Sequence, residues 1–265
     1  MSSLQAAASF GVGALRNGVS VQVNVSIAPR GDLALRVAAA ASLSGVAASA
    51  IFLLWPELDL HVARLFLREN GSFFPARDGL LANIRDIFKS LYVLFCVVSV
   101  VGLALAVSRS SGRIRTSSLI WAYLVLCLGI GPGLVANLVL KDQWGRARPS
   151  QIVDFGGTKQ FSPPLIPVRQ CERNCSFISG EASAMFASFF AVALIIPQWS
   201  RTILIVGTMA GLTAGVIRMA QGAHFLSDVV FAGIFMALTA AVLHRAVLAG
   251  AQARSLRVTL IAASH

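Results

Sequence analysis

Long uncharged runs are the feature of this sequence that most limits what the chain can fold into. Six stretches of predominantly apolar residues, separated by charged or polar segments, cover positions 37–55, 90–108, 116–140, 182–200, 202–217 and 229–248. A helix needs about 20 apolar residues to cross a bilayer, and shorter ones suffice where their ends are polar. The pattern therefore predicts an all-α membrane protein with six transmembrane helices in a bundle.

The charge of the chain fits the same picture. Only 12% of its 265 residues are charged, and the formal net charge is +11, whereas soluble domains carry about 25% charged residues. The cations lie between the apolar runs and do not cluster on one polar face, which argues against a nucleic-acid partner. We therefore expect a lipid bilayer, with its anionic lipids, as the partner; the sequence does not indicate an oligomeric state.

The topology follows from the loops between the runs. An even number of spans places both termini on one side, and the short turn SRSSGRIRTSS carries three arginines beside the membrane. Basic residues in short loops favour the cytoplasm. We predict a cytoplasmic tail at 1–32, a six-span domain at 33–250 and a second cytoplasmic tail at 251–265. Residues 1–30 lack the pattern of a removed signal peptide.

Three charged segments then share the outer face: KDQWGRARP at 141–149, CSFISGEAS at 175–183 and RMAQGAHFLSD at 218–228. Taken singly, they fit interfacial anchors, a helix N-cap and a satisfied His-Asp pair. Taken together, they supply one ammonium and two guanidinium groups, which suit the oxygens of a phosphate. The candidate phosphate-binding residues are Lys141, Arg148, Arg218, Ser179 and Gly180, the last two at a helix start.

A candidate nucleophile lies beside this set. His224 and Asp228 are four residues apart, so on a helical turn they share a face. The carboxylate is then expected to hold one ring nitrogen while the other faces the phosphorus. Arg146, inside the first segment, is expected at a solvated loop position.

The three segments resemble the motifs of the type-2 phosphatidic acid phosphatase family, integral-membrane relatives of bacterial acid phosphatases and vanadium haloperoxidases. That family carries Lys, six residues, then Arg-Pro; Pro-Ser-Gly-His; and Ser-Arg, five residues, His, three residues, Asp. This chain has KDQWGRARP, ISGE and IRMAQGAHFLSD in the same order and spacing. The motif likeness covers residues 141–228.

The resemblance implies a two-step phosphomonoester hydrolysis. His224 would attack phosphorus to give a phosphohistidine, Asp228 would orient the ring, and water would then release phosphate. The fixed cations Lys141, Arg148 and Arg218 would neutralise the negative charge that grows on the equatorial oxygens of the phosphate. We therefore expect no metal and no other cofactor.

Two departures from the family pattern leave one role open. Ile178 and Ile217 replace a proline and a serine of the motifs, and Glu181 replaces the histidine that protonates the leaving oxygen. A protonated Glu181 is one candidate acid, although the neighbouring cations oppose its protonation. His61 in the first outer loop, or water, is a second candidate. A weakened or specialised protein is the third possibility.

Location indicates the class of substrate. A phosphate site at the outer edge of a helical bundle meets phosphorylated lipids, and the candidates are lipid A, polyprenyl pyrophosphate, phosphatidylglycerophosphate and phosphatidic acid. Within the family, CSFISGEAS and the basic outer loops are most similar to bacterial lipid A phosphatases, which implies the bacterial inner membrane and a site facing the periplasm. A transporter or a lipid-phosphate-binding relative is the alternative.

The predicted topology places Cys171 and Cys175 on the oxidising outer face. They are either joined in a small disulfide loop or present as two free thiols.

Overall fold

The fold is helical in the part of the chain that the computed structural model describes, which is residues 7–10, 23–26, 31–77, 79–108 and 116–249. The α-helices there are α1 (Gly31–Leu54), α2 (Glu57–Arg64), α3 (Leu80–Ser108), α4 (Thr116–Leu128), α5 (Gly180–Ile195), α6 (Ser200–Ala220) and α7 (Leu226–His244). Helix α4 continues as a π-helix over Gly129–Lys141, which is called the π segment below. Helix α7 continues as a shorter π-helix over Arg245–Ala249. Short 3-10 helices cover Pro149–Gln151, Val153–Phe155 and Pro197–Trp199. The predicted all-α class is confirmed.

The only strands among the described residues are β1 (Ala7–Phe10) and β2 (Val23–Ser26), which pair antiparallel. Both fall in the segment predicted to be the first tail. The arginine-rich turn at 109–115 and the predicted second tail at 251–265 lie outside the described residues, so the tail boundaries stay predictions.

The predicted membrane spans correspond to helices, and five of those described are long and apolar enough to cross a bilayer. These are Leu33–Leu54, Leu80–Ser108, Ser117–Lys141, Pro197–Ala220 and Leu226–Leu248. The chain is thus a multi-pass membrane protein. The fourth predicted span is the 16-residue helix α5, about 24 Å long at 1.5 Å per residue, against an apolar layer of about 30 Å. Five spans are confirmed by length, and the sixth stays a prediction.

Helix α5 occupies the centre of the bundle. It packs against α6, α7, α4 and the π segment, while α1 packs on α7 and α3 packs on α4. Its small and aromatic side chains are mostly buried, whereas α3 exposes a series of large apolar residues, as expected of a surface in contact with lipid. The centre of the molecule is therefore helix against helix, with lipid-facing helices around it.

Glycines on α6 allow the close approach of α5. A Cβ atom on Gly207 would lie 2.3 Å from Phe189, and one on Gly211 would lie 2.4 Å from Phe186. Both distances are too short for real carbon atoms, so only glycine lets these phenylalanines pack on the α6 backbone.

The helices alternate in direction, which gathers their polar ends on one side. The π segment and α6 end at this side, and α3, α5 and α7 begin there. The connection between Lys141 and Gly180 covers the same end, and an apolar cluster that includes Leu60, Ile152, Phe155 and Phe225 holds it against α2 and the start of α7. The three charged segments are thus brought to one end of the bundle.

Candidate active site

Lys141 and the start of α5 are in close contact. Lys141 is the last residue of the π segment and is 9% exposed. A Cβ atom on Gly180 would lie 3.2 Å from the Nζ atom of Lys141 and 3.2 Å from Oδ1 of Asn137. The glycine therefore leaves the room that the ammonium group occupies beside the first turn of α5.

Ser179 caps that turn. Its backbone is extended, its hydroxyl accepts a hydrogen bond from the Ala182 amide at 3.5 Å, and its side chain is fully buried. The N-cap interpretation is confirmed, and the predicted contact of Ser179 with phosphate stays a prediction. The first amides of α5, including that of Gly180, have no partner within the helix and are available to an anion.

Two guanidinium groups hold the carboxylate of Glu181. Its Oε1 atom accepts a hydrogen bond from Nε of Arg85 at 3.1 Å and lies 3.5 Å from Nε of Arg218. Arg218 also donates from Nη1 to Oε1 of Gln221 at 2.6 Å. Opposite charges at these distances stabilise the ionised carboxylate, which is the wrong protonation state for a general acid.

Arg85 was not found by sequence reasoning. It lies in the second turn of α3, outside the three motifs, and meets Glu181 across 96 positions of sequence. Its only signal in the sequence is its position near the outer end of a predicted span. Many arginines in such positions are interfacial anchors.

Arg148 is oriented by the loop between the two outer cysteines. Its Nε and Nη2 atoms donate to the carbonyl oxygen of Asn174 at 3.2 and 2.7 Å. Cys171 and Cys175 form a disulfide around that asparagine, which decides between the two alternatives left by the sequence. Lys141 lies against Gly180 and Arg218 lies 3.5 Å from Glu181, so two of the three predicted phosphate cations meet at the start of α5. Arg148 is close enough to Lys141 to interact with it electrostatically.

His224 is buried with one ring nitrogen held and the other open. It is 1% exposed, and its Nδ1 atom lies 2.7 Å from the carbonyl oxygen of Ser176. A carbonyl can only accept, so Nδ1 carries the proton and Nε2 presents its lone pair. Within the described chain, Nε2 is buried without a hydrogen-bond partner. Burial lowers the pKa of His224 to about 4, and the nearby charges of Lys141 and Arg218 act in the same direction.

Asp228 lies close to the ring but bonds to other groups. Its Oδ2 atom is 3.6 Å from Nδ1 of His224, beyond a hydrogen bond. The same oxygen accepts from the hydroxyl of Ser176 at 2.5 Å and from the amide of Phe225 at 2.8 Å. The predicted direct hold of Asp228 on the ring is therefore not what the structure shows: the carbonyl of Ser176 bonds the ring nitrogen, and Asp228 is next to it.

Arg146 was expected in a solvated loop, and that expectation is wrong. Its side chain is fully buried and forms ion pairs with Asp228 at 2.6 Å and with Asp59 at 2.7 Å. Asp59, on α2, is fully buried as well. A guanidinium group enters a protein interior when carboxylates there compensate its charge. No motif in the sequence indicates that Asp59 is one of them.

His61, the alternative proton donor, lies on a different face of α2 from Asp59. The two residues are two positions apart, about 200° around a helix. Asp59 points into the protein, whereas His61 is exposed and its Nδ1 atom is bonded to the carbonyl of Glu57 at 2.7 Å. The geometry therefore does not support His61 as the acid.

A cavity of about 410 Å³ adjoins the cations. It lies between α3, the π segment and the start of α5. Its apolar wall includes Phe88, Tyr92 and Pro132, and its polar lining residues are Lys89, Asn137, Lys141 and Glu181. A space of this shape and size suits an amphiphile with one anionic group. Within the described residues, no three His, Cys, Asp or Glu side chains cluster as metal ligands would.

Comparisons with known proteins point to one family. A family model described as PAP2 superfamily matches residues 120–250. The lipid A 4'-phosphatase of Francisella tularensis subsp. novicida is 36% identical over 187 residues, which cover 70% of this chain and 84% of that protein. The lipid A 4'-phosphatase of Rhizobium leguminosarum is 31% identical over 197 residues, covering 68% and 83%. The lipid A 1-phosphatase of Rhizobium etli is 36% identical over 145 residues, covering 53% and 58%. No solved structure matches the chain.

Proposed function

The chain belongs to the PAP2 superfamily, and on that premise we propose that it is an integral-membrane phosphatase that removes a phosphate group from lipid A. The single observation that carries the proposal is the buried Nε2 atom of His224, open and unprotonated beside Lys141 and Arg218. A neutral imidazole with a free lone pair is the form that attacks phosphorus. The same cations would bind the phosphate that it attacks.

The choice of lipid rests on the relatives. Polyprenyl pyrophosphate, phosphatidylglycerophosphate and phosphatidic acid also combine a phosphate with an apolar part. The names of the relatives, however, point to lipid A, and the two 4'-phosphatases share more of the chain than the 1-phosphatase does. We therefore take the 4'-phosphate of lipid A as the first candidate.

The proposed first step transfers the phosphoryl group to the enzyme. A bond forms between Nε2 of His224 and phosphorus as the bond from phosphorus to the lipid oxygen breaks in line with it. Lys141, Arg148 and Arg218, with the Gly180 amide, neutralise the charge on the equatorial oxygens, which is the main contribution of a protein to this chemistry. The carboxylate of Asp228, 3.6 Å away, stabilises the positive ring that results.

The lipid oxygen that leaves in the first step takes its proton from water, because the ion pairs of Glu181 with Arg85 and Arg218 keep that carboxyl ionised. In the second step, the hydroxide ion that this transfer leaves attacks phosphorus, the bond to Nε2 breaks, and hydrogen phosphate leaves with the neutral ring restored. We propose that Glu181 positions the two arginines around the substrate and does not donate a proton.

The cavity gives the lipid a place next to the cations. From Arg85 to Tyr92 is seven residues of α3, about 10 Å at 1.5 Å per residue, so the apolar wall runs from the polar end toward the bilayer interior. An acyl-bearing sugar phosphate fits this gradient. We propose that the site faces the periplasm from the bacterial inner membrane, where the lipid substrate is at hand.

A phosphate-release assay on the purified full chain in mixed micelles tests the function. The substrates are lipid A, polyprenyl pyrophosphate, phosphatidylglycerophosphate and phosphatidic acid. We expect release from lipid A, no turnover by His224→Asn, and wild-type turnover by the matched variant His61→Asn, whose imidazole is exposed on α2. Turnover by His224→Asn would remove the proposed nucleophile. A wild-type protein that binds these lipids and releases no phosphate would favour the transporter or lipid-phosphate-binding alternative.

A further inference from the structure

The most deeply buried cation among the residues that the structure describes has no part in the mechanism described above. Arg146 lies between Lys141 and Arg148 in the sequence, yet its side chain is fully buried and forms ion pairs with Asp59 and Asp228. Its guanidinium group lies over the ring of Phe225 at 4.3 Å and near that of Phe161 at 5.7 Å. A group enclosed in this way cannot touch a lipid phosphate.

Its hydrogen bonds run instead to the groups behind the nucleophile. Nη1 donates to Oδ1 of Asp228 at 2.6 Å and to the hydroxyl of Ser227 at 2.8 Å. Nη2 donates to Oδ2 of Asp59 at 2.7 Å, and Nε donates to the carbonyl of Ser162 at 3.0 Å. Arg146 thus connects α2, the outer loop and the first turn of α7.

Asp59 completes the connection. Its Oδ1 atom accepts from the amide of Ser227 at 2.9 Å, and its Oδ2 atom accepts from the hydroxyl of Ser227 at 2.5 Å. The first turn of α7 is therefore held from behind by both a carboxylate and a guanidinium group. The turn can neither rotate nor slide without breaking a buried charged hydrogen bond.

The consequence for the nucleophile follows from Asp228. With Oδ1 bound to Arg146, the other oxygen faces Ser176 and the ring of His224. Ser176 in turn holds Nδ1 of the ring through its carbonyl. The direction in which Nε2 points is thus fixed, through Asp228 and Ser176, by a residue that never meets the substrate.

A purely stabilising role is a poor explanation for this cluster. Removing charges from water carries a large free-energy cost, and buried ion pairs are often no more stable than well-packed apolar residues. What an apolar replacement cannot supply is the fork that binds two carboxylates in fixed directions.

We propose that Arg146, backed by Asp59, is a positioning residue for catalysis that aims the nucleophilic ring by holding the carboxylate of Asp228. The proposal rests on the proposed function, since it presumes that His224 attacks phosphorus. It assigns a role to Arg146, which lies between the proposed phosphate-binding residues Lys141 and Arg148. It also assigns one to Asp59 on α2, which belongs to none of the three motifs.

The test is steady-state phosphate release by the full chain, with kcat and KM measured separately. For Arg146→Met we expect kcat to fall about 100-fold, the cost of misplacing a reacting group by about 1 Å, with KM within about threefold, because substrate binding stays intact. The matched control is Arg64→Met, the same change at an exposed arginine that forms a 3.9 Å surface pair with Asp154. It should behave as the wild type.

A double variant separates positioning from folding. Asp59→Asn with Arg146→Met removes one negative and one positive charge, so the net charge of the cluster is unchanged and the protein should fold. We expect it to stay as slow as Arg146→Met, since Asp228 still lacks its anchor. Wild-type kcat in the folded double variant would overturn the proposal, as would a loss confined to KM. A double variant that does not fold would also overturn it, because the cluster would then serve the fold.

The two proposals fail in different ways. If His224→Asn keeps its activity, the proposed function falls and the positioning role with it. If His224→Asn is inactive and Arg146→Met turns over as fast as the wild type, only the positioning role falls.

Discussion

Nδ1 of His224 is bonded to the carbonyl of Ser176, and Nε2 has no hydrogen-bond partner among the described residues. The proposed attack on phosphorus depends on this difference between the two ring nitrogens. The spacing of the motifs predicted His224 as the nucleophile with three cations nearby, and that role stays a prediction. His224 lies before α7, which begins at Leu226, so the loop that leads into the helix, and not the expected helical turn, brings the ring close to Asp228. It was not enough to find Asp59 and Arg85, which meet their partners across 87 and 96 positions of sequence. No local pattern encodes such a pairing.

Glu181 gives a prediction at this scale. In Glu181→Gln we expect kcat to change by less than about tenfold, since a carboxylate paired with two arginines is no proton donor, whereas general acids contribute about 10²–10⁴-fold. KM should fall, because one negative charge leaves the phosphate site. The measurement is kcat and KM for phosphate release, with Asp86→Asn on the exposed side of α3 as the control.

A loss of kcat by two orders of magnitude or more in Glu181→Gln would contradict this assignment. It would restore Glu181 as the acid that protonates the leaving oxygen.

Two of the predicted spans differ from the helices that form there, one in its length and one in its internal geometry. The apolar run at 182–200 predicted one continuous span, but α5 ends at Ile195 because Pro197 lacks an amide proton and disfavours helix in the residue before it. The run at 116–140 did form a helix throughout. Its second half is the π segment, which contains Pro132, and widening of this kind is common where proline breaks the regular hydrogen bonds. Apolar composition predicts a span but not its internal geometry.

The disulfide loop carries the prediction at the level of elements. Because the Asn174 carbonyl holds Arg148 through two hydrogen bonds, replacing both Cys171 and Cys175 by serine should free the loop and weaken phosphate binding. We expect KM to rise about tenfold, which equals about 1.4 kcal/mol, with a smaller change in kcat. A reducing agent should do the same to the wild type.

The control for the loop is Cys96→Ser, which removes a free thiol on α3. It should leave KM unchanged with and without reductant. If the double serine variant keeps the wild-type KM, the loop has no part in orienting Arg148.

At the scale of the whole molecule, the alternating helices put every predicted site residue at one end of the bundle. This arrangement could be predicted from the order of the spans, because successive spans run in opposite directions. The depth of the site and the presence of its cavity could not be predicted, because they depend on how α3 and the π segment pack against α5. Which end faces the periplasm is the part that still depends on the arginine-rich turn at 109–115.

Cysteine labelling tests that orientation and the sixth crossing together. In a background without Cys96 and Cys127, Ser72→Cys in the exposed loop before α3 should react with an impermeant maleimide in intact spheroplasts. Gln198→Cys, exposed in the turn between α5 and α6, should react only after permeabilisation. Labelling of both from outside would show that α5 does not cross, and the reverse pattern would place the site in the cytoplasm.

The buried carboxylate on α2 sets an order of events during biosynthesis. Asp59 leaves the ribosome long before Arg146 and Ser227, the residues that will compensate its charge and hydrogen-bond it. An unpaired carboxylate does not remain in an apolar interior, so we expect α2 to stay in water at the membrane surface until α7 has inserted into the bilayer. A nascent chain cut short before that helix would keep its early spans and have no place to dock α2.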